Sequence, residues 1–80
     1  MVELFHRIAD SGSAQARRFV TEQGLLERVR FRNLAYSEVE ADLRARGGTT
    51  APALWNGTDL FEGAPAVLAA LEALRTDPAA

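Results

Sequence analysis

Apolar and polar positions in two stretches of the chain follow the patterns that β-strands require. Residues 2–6 are apolar at positions 2, 4 and 5, which is typical of a short buried strand. Residues 28–34 alternate polar and apolar side chains almost without fault. This alternation predicts a half-buried strand at or near the edge of a sheet.

A third strand-forming region contains two apolar runs, residues 50–55 and residues 58–61, on either side of Asn56 and Gly57. An Asn-Gly pair between apolar runs favours a hairpin with a type I′ turn, because that turn needs φ > 0 at both central positions. The pattern therefore predicts two antiparallel strands joined by a tight turn.

Helical spacing appears first in residues 14–23, where Ala16, Phe19 and Val20 share one face and Gly24 supplies a stop. The small polar residues 10–13 in front of this segment suit a loop and a helix N-cap.

A second helix is predicted from about residue 38 to residue 46. Ser37 and Glu40 have the spacing of a capping box, Val39 and Leu43 fall on one face, and glycines at 47 and 48 follow.

A third helix is predicted to begin near Pro65, because proline is tolerated in a first helical turn. Its apolar stripe comprises Val67, Leu68, Leu71 and Leu74.

The element order is therefore β-α-β-α-β-β-α, an α/β arrangement. A βαβ unit demands a parallel strand pair with a right-handed crossover, the hairpin adds an antiparallel pair, and the last helix must cover the sheet. We expect a four-stranded mixed sheet with helices on both faces.

The amino-acid composition excludes several kinds of catalytic and metal-binding chemistry. The 80 residues include no cysteine and one histidine, and all nine cations are arginine. The formal net charge of the chain is −2. Without cysteine there is no disulfide, thiolate nucleophile, cysteine-zinc site or iron–sulfur cluster. Without lysine there is no Schiff base, and a single histidine argues against a metal site or a Ser-His-Asp triad.

Charge and hydropathy also bear on partners and location. Nearly balanced charge argues against a general nucleic-acid partner and against a polybasic membrane anchor. No apolar run approaches the roughly 20 residues that span a bilayer, and residues 1–7 do not read as a secretory signal. We expect a cytoplasmic protein that does not bind membranes.

Three features taken together resemble a known family. Residues 2–5 lead without a gap to the run Ala-Arg-Arg-Phe-Val at 16–20, residues 50–54 read Thr-Ala-Pro-Ala-Leu, and Asn56-Gly57 precedes Glu62-Gly63 and the last helix. In this order and at these distances, they resemble the glutaredoxin branch of the thioredoxin fold, and they are similar to the N-terminal domain of glutathione transferases. The resemblance implies a thioredoxin-like (glutaredoxin-type) domain over residues 1–76. Residues 77–80 are predicted to form a frayed C-terminal tail.

The chain departs from this family at the centre of its chemistry. Asp10 stands where the nucleophilic cysteine of the family's Cys-x-x-Cys motif would be, and Ser13 stands where the resolving cysteine would be. Thiol–disulfide exchange needs a thiolate that attacks sulfur, so this chain cannot be a self-sufficient thiol–disulfide oxidoreductase. Asp10 is then either a helix N-cap, the interpretation we favour, or a fixed charge at the former site.

The resemblance to transferases leaves an enzymatic alternative open. Some of these enzymes use a serine near the start of this helix to hydrogen-bond the thiolate of bound glutathione, a role that Ser11 or Ser13 could take. The plainer interpretation of both is a capping serine. In transferases the electrophile pocket lies in a following helical domain, which a partner chain would have to supply here.

The resemblance also implies a ligand groove. It implies a cis bond before Pro52, so that the backbone of Ala51 pairs with the cysteinyl backbone of glutathione or with an extended peptide. Arg7 falls where a basic residue of the family neutralises the glycine carboxylate of glutathione, whereas the plainer interpretation of Arg7 is a solvated arginine in a loop. The γ-glutamyl group would lie near Glu62, Gly63 and Ala64, although Pro65 occupies the acidic position of the glutaredoxin register.

Our leading hypothesis is a non-redox binding or interaction module with a residual groove for glutathione or a peptide, with a protein partner as a further expectation. It needs no metal and no cofactor beyond glutathione as a ligand. The alternatives are the serine-dependent transferase and a structural module without a ligand. Arg28, Arg30 and Arg32 form a basic ladder, which we interpret as charge protection of an edge strand.

Overall fold

The computed structural model describes residues 1–77. Its elements in chain order are β1 (Val2–His6), α1 (Ser11–Glu22), β2 (Val29–Asn33), α2 (Ser37–Ala45), β3 (Ala53–Trp55), β4 (Leu60–Glu62) and α3 (Ala64–Thr76). This order confirms the predicted β-α-β-α-β-β-α. Of the predicted tail, Asp77 is the C-cap of α3, and residues 78–80 lie outside the described residues.

The four strands form one mixed sheet in the order β2-β1-β3-β4. β1 and β2 run parallel, from the pair Val2 and Val29 to the pair His6 and Asn33. β3 is antiparallel to both β1 and β4. The mixed sheet and the edge position of β2 are confirmed.

Alternation along β1 divides the core between the two faces of the sheet. Leu4 and Phe5 are both fully buried, and adjacent strand residues point to opposite faces. Leu4 packs with side chains of α1 and α3, namely Ala16, Val20, Val67 and Leu71. Phe5 packs with Val39 and Leu43 of α2. Helices therefore cover both faces, with α1 and α3 on one and α2 on the other.

The predicted capping box at Ser37 is wrong. The N-cap of α2 is Tyr36, which makes no side-chain cap bond, and Ser37 is already helical. The chain turns early because the Asn33 carbonyl oxygen accepts from the Tyr36 N–H at 3.2 Å and the Asn33 side-chain oxygen accepts from the Ala35 N–H at 2.9 Å. The turn after β2 thus leads into the helix one residue sooner than the motif predicts.

The hairpin forms, but its predicted type I′ turn is wrong. Among the described residues, positive φ occurs only at glycines, so Gly57 has φ +102° while Asn56 does not adopt this conformation. Four residues, 56–59, separate β3 from β4. The Asn56 side-chain oxygen accepts from the N–H groups of Thr58 and Asp59 at 2.9 and 2.7 Å, and this stabilises the longer loop.

No helix within residues 1–77 has the length and the apolar character needed to cross a membrane.

Candidate functional site

Three segments that are distant in sequence meet at Gly12, in the first turn of α1. A methyl group placed on Gly12 would lie 3.2 Å from Pro52 Cδ and 3.3 Å from Ala64 Cβ. The start of α1, the proline loop and the start of α3 therefore pack directly against one another. Asp10, Ser13, Pro52 and Ala64, which the sequence singled out, are brought to one place.

Asp10 is the N-cap of α1. Its Oδ2 accepts from the Ser13 N–H at 2.7 Å, which starts the helix at Ser11 rather than at the predicted residue 14. Hydrogen bonds from Ser13, the backbone one first, lower the pKa of the Asp10 carboxyl, and the charges of Arg17 and Arg7 lower it further. Asp10 is thus a stable anion at the start of α1.

The two serines differ in exposure. Ser13 is fully buried, and its hydroxyl oxygen accepts from the Arg7 backbone N–H at 3.1 Å. Ser11 is exposed as the first residue of α1. Neither serine caps the helix. Ser13 binds the preceding loop to α1, whereas the Ser11 side chain faces solvent.

The bond between Ala51 and Pro52 is cis, as the resemblance implies. Pro52 is buried, and its carbonyl oxygen accepts from the Gly63 N–H at 2.9 Å. The Gly63 N–H is therefore not available to a ligand, contrary to the expectation for that residue. Ala51 is partly exposed, and its backbone N–H and C=O make no hydrogen bond to any residue in 1–77.

Glu62 fastens the segment that precedes Ala51. Its Oε1 accepts from the N–H groups of Thr49 and Thr50 at 2.8 and 2.9 Å. The carboxylate is thus engaged on the protein's own backbone. Sequence reasoning missed this contact, because the hairpin places Glu62 beside Thr49 and Thr50, which are 13 and 12 positions away in the chain. No local motif signals a contact at that separation.

Arg7 lies beside a small cavity on the α2 side of the site. The cavity measures about 190 Å³ and is lined by Arg7, Glu40, Leu43, Arg44, Gly48 and Thr49. Glu40 is placed between two cations, 3.6 Å from Arg7 and 3.4 Å from Arg44. From the sequence, Glu40 and Arg44 have only the spacing of an ordinary surface pair, so their place beside Arg7 was not foreseen.

A larger cavity of about 680 Å³ lies at the opposite end of the sheet, around Val2, Leu54 and Leu74, and shares no residue with the candidate site. Residues 1–77 hold no cluster of three histidine, aspartate or glutamate side chains that could bind a metal ion. Comparison of the chain with protein families, curated proteins and solved structures gave no significant match.

Proposed function

We propose that this chain is a cysteine-less protein of the glutaredoxin-type thioredoxin fold. Its function is to bind glutathione or an extended peptide without redox chemistry. The sheet order β2-β1-β3-β4 supports the fold, since its parallel first pair and antiparallel hairpin follow the family's arrangement. The placement of α1 and α3 on one face and α2 on the other gives the same support.

The observation that carries the proposal is the unpaired backbone of Ala51. Ala51 is partly exposed beside buried Pro52, and its N–H and C=O have no partner within residues 1–77. An extended ligand can satisfy both groups by pairing as an added strand, which is a common mode of peptide recognition. Because Glu62 holds the two amides just before Ala51, this segment is already fixed in position.

Two features of the site that favour anions suit a ligand with two carboxylates. One is the Arg7 guanidinium, whose side chain is half exposed. The other is the start of α3 at Ala64, where the N–H groups of a first turn favour an anion. Glutathione carries one carboxylate on its glycine and one on its γ-glutamyl group, so its charges match these two features.

Asp10 favours binding over thiol activation. A thiol placed beside an anionic carboxylate is held in its protonated form, because a neighbouring negative charge disfavours the thiolate. The transferase alternative needs the thiol of bound glutathione to lose its proton more easily, which a neighbouring negative charge opposes. Its candidate hydroxyls are Ser11, which is exposed, and Ser13, which is buried and accepts from Arg7.

A chemical-shift titration of the isotope-labelled protein with millimolar glutathione tests the proposal. We expect the amides of Thr49, Ala51 and Ala64 to shift, and we expect Arg7→Ala to weaken binding while Arg75→Ala, on the far part of α3, leaves it unchanged. A second titration with a short uncharged peptide distinguishes a peptide groove from a glutathione site. If neither ligand moves these amides, the binding function is wrong.

An assay of the rate at which glutathione is conjugated to an electrophile distinguishes the transferase alternative from binding alone. Binding alone predicts the same background rate for the native protein, for Ser11→Ala and for Ser13→Ala. A rate above background that either substitution abolishes would favour the enzyme.

A further inference from the structure

One arginine on α1 contacts three consecutive residues at the end of β1. Arg17 Nη1 lies 3.0 Å from His6 Nδ1 and donates to the Arg7 carbonyl oxygen at 3.1 Å. Arg17 Nη2 donates to the Ile8 carbonyl oxygen at 3.4 Å. A single guanidinium thus fastens the last strand residue and the start of the following loop to α1. We call residues 7–10 the β1–α1 loop.

The contact between Arg17 and His6 requires a neutral histidine. A guanidinium has only donors and stays charged, so His6 Nδ1 must be the acceptor and the ring proton must lie on Nε2. His6 as a whole residue is 5% exposed, and its ring stands edge-on to Phe31, with centroids 5.5 Å apart. A proton on Nδ1 would remove the acceptor and place two cations at hydrogen-bond distance.

Charged groups reach this contact from α1 and from the β1–α1 loop. Arg17 approaches from α1. The loop contributes Arg7, which follows His6 in the chain, and Asp10, on which the charge of Arg17 acts. From β2 the facing residues are Phe31 and Asn33, which are uncharged. Asp10 is committed to the Ser13 amide at the start of α1. Burial first, and the charge of Arg17 second, lower the pKa of His6.

We propose that the contact between His6 and Arg17 is an acid-sensitive fastening of the β1–α1 loop, which opens when His6 takes up a proton. The released Arg17 then no longer holds the carbonyl groups of Arg7 and Ile8. The same loop carries the Arg7 N–H that binds Ser13 and the N-cap Asp10, so its loosening disturbs the start of α1. The fastening is a property of the fold, and a consequent release of ligand in acid rests on the proposed function.

The direction of the effect follows from linkage. The unfolded or opened chain protonates His6 near its ordinary pKa of 6.5, whereas the closed form protonates it at a lower pH. The contribution of the closed loop is therefore fully present above about pH 6.5 and is lost as the pH falls through the lowered pKa.

The experiment measures the protonation of the His6 ring by NMR together with hydrogen-exchange protection factors of the Arg7 and Asp10 amides, from pH 7.5 to pH 4. We expect protection to fall about tenfold for each unit by which the pKa of His6 is lowered. The core amides of Leu4 and Leu54 should keep their protection. His6→Asn is the matched control, because its side-chain oxygen can stand near the position of Nδ1 and does not titrate. In this variant the loop should stay protected over the whole range.

Arg17→Met provides a second variant. It keeps the aliphatic part of the side chain but lacks the guanidinium that contacts His6, Arg7 and Ile8. Its loop amides should already exchange fast at pH 7.5 and change little in acid. The proposal is overturned if His6 protonates at or above pH 6.5, or if loop protection in wild type does not follow His6. It is equally overturned if the core amides open at the same pH as the loop. A glutathione titration at pH 7.5 is independent of these outcomes, so failure of ligand binding is distinguishable from failure of the fastening.

Discussion

The backbone N–H of Arg7 donates a hydrogen bond to the buried hydroxyl oxygen of Ser13 at 3.1 Å. This bond connects the first residue after β1 to the third residue of α1. Ser13 is therefore a structural residue in this chain, whatever the ligand.

Replacing Ser13 by alanine should destabilise the protein by about 1–3 kcal/mol, because the Arg7 N–H loses its acceptor in a partly buried place. Urea unfolding followed by circular dichroism measures the free energy of unfolding. The exposed Ser11→Ala is the matched control and should stay within about 0.5 kcal/mol of wild type. Equal stability of both variants would show that the hydroxyl of Ser13 does not support the fold.

Asp10→Ala should lower the midpoint of thermal unfolding by about 5 °C, because the Ser13 N–H loses its cap. Asp10→Asn keeps an acceptor oxygen and should restore most of the midpoint at neutral pH. The lowered pKa of Asp10 means that its contribution is present above about pH 3.8 and is lost as the pH falls through the folded value. A midpoint in Asp10→Asn that still follows this acid titration would contradict the assignment.

Glu62→Ala should loosen the segment before Pro52, because the N–H groups of Thr49 and Thr50 then have no shared acceptor. We expect hydrogen exchange at these two amides to accelerate about tenfold, which corresponds to the typical strength of a hydrogen bond to a charged group. Glu62→Gln retains an acceptor oxygen and should show a smaller change. Unchanged exchange in Glu62→Ala would mean that the segment is held by its packing alone.

Glu40 competes with a ligand carboxylate for Arg7, since its side chain lies 3.6 Å from that guanidinium. Under the proposed function, Glu40→Gln should tighten glutathione binding about two- to fivefold, as expected for one half-exposed ion pair. Arg7→Ala should weaken binding by a similar factor, measured by the same titration. A decrease in affinity in Glu40→Gln would place the ligand carboxylate elsewhere.

Glu3 joins two arginines on the α2 face of the sheet. Its carboxylate pairs with Arg32 and, at 3.2 Å, with Arg46, and both guanidinium groups lie over the ring of Phe5 at 5.3 and 5.6 Å. Glu3→Ala should destabilise the fold by about 1–3 kcal/mol, because two largely covered cations lose a partner. Chemical denaturation measures the loss. Glu72→Ala breaks the exposed pair with Arg75 on α3 and should leave the free energy of unfolding unchanged.

Local patterns predicted the element order well because each pattern depends on neighbouring residues. Apolar residues at 2, 4 and 5 predicted β1, and helical spacing at Ala16 and Val20 predicted the buried face of α1. Local patterns failed at element ends. The N-cap at Tyr36 and the four-residue loop after β3 depend on which side-chain oxygen accepts from which backbone N–H. The capping-box spacing at Ser37 and the Asn-Gly pair at 56–57 therefore predicted the wrong cap and the wrong turn.

By itself, the sequence determined the absence of thiol chemistry, the order of strands and helices, and the residues around which a groove could form. The tertiary structure alone decided how those residues are used: Ser13 is buried against Arg7, Glu62 holds Thr49 and Thr50, Pro52 accepts from Gly63, and Ala51 keeps an unpaired backbone. The physical reason is that composition and periodicity are local properties, whereas each of these contacts joins residues that only the packed sheet and helices bring within hydrogen-bond distance.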